Sequence, residues 1–474
     1  MTTTSSTGTI SSAGIGSGLD VNSIVTQLMA IEQKPLTTLQ TKATTIQTTV
    51  SEYGKVKSAL STLNDASIKL ASAKTWAQTV GTSSNASTVT ASTNGAAPGT
   101  YTVEVQSLAS VQTLASGTFA DTSATPGAGT LHIELGTWGA GQTSFTPKSG
   151  ATAIDITIAA TDTLTDVRDK INSAGAGVTA MIMTDASGSR LLIRSSVTGA
   201  GSGFRSSGVA TLAFDPSAGA SAMTQTQAAA NAAATVNGLA VTSTSNTMTN
   251  IVDGLTLNLA ALTTTPTTIT VAPDTESLKK AMTDFASAYT AVMALISKDT
   301  KYDATTKTAG LLQGDSSITG LQRQLRSLAG GTSTASSTFG YLSNAGFELQ
   351  RDGSMTVNDT KLTNALANLP ELKKMFANSN LGDPTQDGFA KRFRVATDTI
   401  LGIDGTLTTR TAGLNEELQR NRKDQDNLSI RLAATEKRMR AQYTALDATM
   451  AQLNSTSQYL TQQITAMNAA AASK

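Results

Sequence analysis

The sequence predicts an α+β multidomain chain in which long N- and C-terminal helices pair as a coiled-coil leg and a helical middle domain, with β-rich head domains inserted between them. Three observations predict it. Apolar residues recur every seven positions near both ends, whereas the middle alternates with period two. Neither Gly nor Pro occurs from Leu414 to Lys474. A helix continuous from 414 to 467 would span roughly 80 Å at about 1.5 Å per residue.

Residues 1–18 read as a disordered leader, in which Gly14, Gly16 and Gly18 punctuate Ser and Thr, and Asp20 is placed to cap the first helix. The Gly-x-Gly cluster follows no apolar strand and precedes no Gly-Lys-Ser/Thr, so it does not read as a phosphate cradle. In residues 19–45, Ile24, Leu28 and Ile31 form a stripe that Pro35 interrupts, which predicts a break near 33–36. From 46 to 80, Ile46, Tyr53 and Leu60 form one heptad row and Val56, Leu63 and Leu70 a second.

The β-rich middle divides into a head domain over 81–115 and 236–274 and an inserted second one over 116–235. Tyr101, Val103 and Val105 alternate after Pro98-Gly99; Ile154, Ile156 and Ile158 do the same, as do Leu255, Leu257 and Leu259, then Ile269 and Val271. "TDTLTDVRDKIN" interrupts them with a short helix, placing Leu164, Val167 and Ile171 on one face under an Asp162 or Thr163 cap.

Residues 275–439 return to the helical middle domain. After Pro273 and Asp274, the helical steps run through Leu278, Met282, Phe285, Tyr289, Val292 and Ile296. The last segment carries Leu418, Gln425, Leu432, Met439, Leu446, Leu453, Leu460 and Met467 on one strict row. Leu414 and Leu428 precede that row by four residues, whereas Tyr443, Met450 and Ile464 follow it by four. One helix thereby shows first one flank and then the other to different neighbours. Residues 440–474 and 19–45 together make the expected leg, with the termini at the base of a stalk.

Composition excludes much chemistry. With 474 residues, no Cys, one His and a net charge of +1, the chain has no disulfide scaffold, thiolate metal site or multi-histidine site. Near-neutral charge argues against nucleic acid, no apolar run is long enough to span a membrane, and the N-terminus lacks a basic-then-hydrophobic secretory signal. His132 and Glu134 lie on the solvent side of a strand whose inner side is Leu131, Ile133 and Leu135. "DTKYDATTKTAG" lacks a calcium loop's full ligand pattern. No enzyme, cofactor or metal is expected. The charged run from Glu416 to Arg440 reads as a solvated, salt-bridged helix surface. The sparse apolar positions Leu28, Ile31, Leu453, Leu460 and Ile464, set among Thr, Gln, Ser and Asn, are the expected partner and oligomer interface.

Six ordered blocks carry a resemblance: "GIGSGLDVNSIVTQLMAIEQKPL", "GTYTVEVQSLASVQTLAS", "VNGLAVTSTSNTMTNIVDGLTLNL", "LLQGDSSITGLQRQLRSL", "LSNAGFELQRDGSMTVNDTKL" and the stretch from "DGTLTTRTAGL" to "DATMAQL". Over nearly its whole length the chain resembles the bacterial flagellar filament-capping, or FliD, family of hook-associated proteins. "DVRDKIN" is similar to a motif of flagellin and hook-associated insertions, and residues 115–235 show no other. The resemblance implies a secreted, extracellular ring of identical subunits at the distal filament tip, retaining exported flagellin and helping it fold and insert. Its implied partners are further copies of itself, flagellin, hook-filament junction proteins, the flagellar type III export apparatus and an export chaperone. An uncharged leader and the absence of Cys suit passage through an export channel. A tip adhesin for host glycan or mucin and a hook-filament junction protein are the alternatives.

Overall fold

A computed structural model describes residues 20–472; the leader expected over 1–18 lies outside them. In chain order the helices are α1 (Val21–Glu32), α2 (Lys34–Ala71), the single turn α3 (Ala73–Trp76), α4 (Leu164–Ser173), α5 (Thr275–Thr300), α6 (Ser316–Gly330), α7 (Asp359–Leu366), α8 (Leu369–Ala377), α9 (Phe389–Leu401) and α10 (Thr406–Ala472). The chain divides into two compact units, one built from residues 1–72 and 279–474 and the other from 73–278.

In the helical unit, α2 packs on α9 and α10. Both of its heptad rows are inside: Ile46, Tyr53, Val56, Leu60, Leu63 and Leu70 are all buried. An aromatic cluster fills the space beside them, with Phe285 edge-on to Phe393 at 5.2 Å and Phe347 5.5 Å from Phe376. A polar link joins α2 to α9: the buried Thr397 donates its Oγ1 hydrogen to Asn64 Oδ1 at 2.7 Å, and Asn64 Nδ2 donates to the exposed Asp398 Oδ1 at 2.9 Å.

The expected break falls at Gln33, where α1 stops, and Pro35 sits in the first turn of α2, where its missing N–H costs nothing. The first half of α2 is rich in threonine, and Thr37, Thr38, Thr41, Thr44, Thr45, Thr48 and Thr49 each donate a hydroxyl to the carbonyl four residues back at 2.9–3.4 Å.

The β unit holds two cores. One lies between a five-stranded antiparallel sheet, ordered 79–83, 267–273, 99–107, 232–236, 239–243, and a three-stranded sheet of 247–252, 255–259 and 89–93. Asn237 and Gly238 join two of these strands with φ of 49° and 80°, the doubly left-handed turn that matches hairpin twist. The second core is filled from strands 129–138, 154–158, 178–185, 188–195 and 203–207 and by Leu164, Val167 and Ile171 of α4. Thr163 caps that helix, its hydroxyl accepting from Asp166 N while Asp166 accepts from Thr163 N.

Candidate functional site

The helix α10 contains 67 residues, about 100 Å at 1.5 Å per residue. It continues through Gly413, so it begins before the expected position 414. Among the described residues, its seven-residue row is buried over only part of that length. Leu414, Leu418 and Leu432 are buried, and Gln425, at a polar point in the row, donates to Asn421 Oδ1 at 2.6 Å and to the Leu39 carbonyl at 3.4 Å. Lys42 reaches Glu417 at 2.9 Å, and Arg440 Nη1 donates to Asn22 Oδ1 at 3.0 Å. Low numbers on the N-terminal helices therefore lie opposite high numbers on α10, and the pairing is antiparallel.

On α1 the row that packs within the chain is not the Ile24, Leu28 and Ile31 stripe. Val21, Val25 and Met29 form the buried row, packed with Leu432 among Leu36, Leu428, Met439 and Tyr443. Leu28 is only half-buried, and Ile31 is 61% exposed. Two apolar rows run side by side along this short helix. At about 100° per residue, Ile31 falls roughly 120° from the centre of the row that docks.

The structure also does not bring α1 to Leu453, Leu460 and Ile464. The antiparallel register puts Ile31 near Leu432, more than about 30 Å along the axis from them. Beyond Tyr443, Leu446, Met450, Leu453, Tyr459, Leu460, Ile464 and Met467 are 37–70% exposed. Tyr443, Leu446, Met450, Leu453, Ser457, Leu460, Ile464 and Met467 alternate in steps of three and four, the spacing of a coiled-coil seam. Its flanks, Thr449, Asn454, Thr456, Thr461 and Gln463, are uncharged apart from Asp447. Interhelical ion pairs consequently do little to dictate a partner's direction here.

Elsewhere the polar residues serve the fold. Arg420 pairs with Glu416 at 3.6 Å and Arg440 with Glu436 at 2.8 Å, both within one turn of α10. His132 Nδ1 meets Asp155 Oδ1 at 2.6 Å on the outer face of paired strands, while Leu131 and Ile133 enter the core. Asp155 was not foreseen as its partner, since only strand register brings the two together. In "DTKYDATTKTAG", Asp303 caps a hairpin turn by accepting from Thr305 N at 2.8 Å and Thr306 N at 3.3 Å. Among the described residues no three His, Cys, Asp or Glu side chains converge as metal ligands, and no helix is long and apolar enough to cross a membrane.

Long terminal helices around a two-core β insert, with a bare seam at one helix end, define an assembly protein of the flagellar type. The chain belongs to the flagellar hook-associated protein 2 family. The family's N-terminal model matches residues 17–112 and its C-terminal model 229–455, and a flagellin hook IN motif matches 141–197, the region around α4. The chain is 33% identical to flagellar hook-associated protein 2 of Escherichia coli K12, over 96% of this chain and 98% of that one. It is 31% identical to the B-type protein of Pseudomonas aeruginosa PAO1, over 92% and 94%. The crystal structure of the D1-D2-D3 domains of the flagellar cap protein FliD from Escherichia coli superposes with a TM-score of 0.60 at 31% identity, covering 77% of this chain and 99% of that one.

Proposed function

We infer that this chain is a subunit of the flagellar filament cap, a ring of identical copies at the distal tip that retains exported flagellin and promotes its folding and insertion. The work is mechanical guidance, with no bond made or broken by the chain. The observation that carries the reading is the seam on α10: the same seven-residue row is filled by α1 and α2 up to Met439 and left bare from Leu446 to Met467. A leg of that kind is completed by other subunits.

Leu453, Leu460 and Ile464 are the proposed contact residues, with Leu28 and Ile31 on α1 flanking the docked end. Flagellin and further copies are the direct partners. Junction proteins, an export apparatus and a chaperone are the further proposed partners, and the proposed working location is outside the cell at the filament tip. Membership of the hook-associated protein 2 family favours the cap over an adhesin or a junction protein.

Leu460→Asp tests the reading by placing a charge in the seam. Being exposed in the single chain, position 460 tolerates the change without loss of fold, whereas a buried intersubunit seam loses several kcal/mol. The variant is expected to melt like wild type, to form less of the oligomer in analytical ultracentrifugation, and to fail to restore filaments in a cap-deletion strain. Normal filament growth with this variant would remove the seam from the mechanism.

A further inference from the structure

Two acidic side chains lie inside the helical unit with oxygens that nothing on the protein satisfies. Glu52 of α2 is 7% exposed and Asp299, the penultimate residue of α5, is 4% exposed. Glu52 Oε1 accepts from Lys55 Nζ at 2.7 Å, but Glu52 Oε2 and Asp299 Oδ2 are both buried without a hydrogen-bond partner. Glu52 is the acidic neighbour whose charge acts most strongly on Asp299. A carboxylate has only acceptors, so two ionised carboxylates in this position can only repel each other.

We infer that Glu52 and Asp299 form a proton-binding site, in which one carboxyl carries a hydrogen and donates it to the other. A shared proton gives the buried pair a hydrogen bond where each carboxyl has an oxygen without a partner. Burial first, and Glu52 second, raise the Asp299 carboxyl above the ordinary carboxylate range. The charged groups acting on it are Glu52 and Lys55 from α2 and Lys298 from α5; the two lysines pull the other way, and Lys55 is already engaged by Glu52.

The pair sits at the root of the 302–309 hairpin. The Asp299 carbonyl accepts from Leu312 N at 2.9 Å, and Gly310 passes so close that a side chain there would collide with that carbonyl. Holding the proton therefore pins the end of α5 and the hairpin root to α2, and losing it loosens both. A folded-state affinity for the proton above the unfolded one gives stability that is complete at low pH and lost as pH rises through the folded value.

Amide exchange of full-length wild type, Asp299→Asn and Glu52→Gln at pH 5 and pH 8, corrected for intrinsic rates, tests this. Either amide donates to the remaining carboxylate without needing a proton. Wild type is expected to lose several-fold more protection at Leu312 between the two pH values than either variant, and either variant suffices should the other fail to fold. An equal pH response in wild type and variant would overturn the site. So would restored protection at pH 8 on adding millimolar Ca²⁺ or Mg²⁺ to wild type alone, which would mark a cation in place of the proton.

Discussion

Glu371 shows how much local order one half-buried carboxylate can organise. Its Oε1 accepts from Lys374 Nζ at 2.7 Å, and its Oε2 accepts from Ser336 Oγ and Ser337 N, both at 2.8 Å, and from Ser337 Oγ at 3.0 Å. Lys374 foremost, then these serine donors, hold the carboxyl down at about 2. A depressed folded value gives stability that is present above the ordinary value of about 4.3 and is lost as pH falls from there towards 2. Glu371→Gln is therefore expected to flatten the acid side of the urea-midpoint profile between pH 4.5 and 2. An unchanged slope would show that the 336–337 loop is held without it. None of these contacts was legible beforehand, because a serine loop and a glutamate 34 residues on carry no periodic signal.

Among the elements, α1 is the most dependent on its neighbours. A helix of 12 residues is marginal alone in water, so its order comes from Val21, Val25 and Met29 against α10. Val25→Asp puts an unpaired charge at a fully buried position, costing several kcal/mol where it docks. Fast amide exchange confined to residues 21–32, with the melting of the rest unchanged, is the expected result; cooperative loss of the whole helical unit would show that α1 is integral to it. The heptads of α2 and the steps of α5 were readable because one face alone is apolar, and the structure buries those residues. On α1 two apolar rows compete, and periodicity alone cannot choose between them. The register of α10 was likewise hidden. A strict row states that partners exist, but which of its positions the described helices cover follows from the antiparallel register of α1 and α2 on α10.

At the scale of the whole molecule, the two units draw on separate stretches of sequence, and the β unit is one continuous run, 73–278, with its own two cores. That fragment alone is expected to give a cooperative unfolding transition and strand-type circular dichroism; a broad, featureless melt would show that it borrows stability from the helices. The family and the helix–sheet–helix order were readable from residues spread over the chain, whereas the sheet pairings, which join strands such as 79–83 and 267–273 across nearly 190 residues, were not. The threonine-rich half of α2 has a mechanical corollary. Hydroxyls bonded to the carbonyl one turn back weaken and bend a helix, and seven of them fall between residues 37 and 49, ahead of the tightly packed stretch from Tyr53 to Leu70. Under load, α2 is expected to bend more readily between residues 37 and 49 than between 53 and 70, which would make the threonine-rich half the compliant part of the helix.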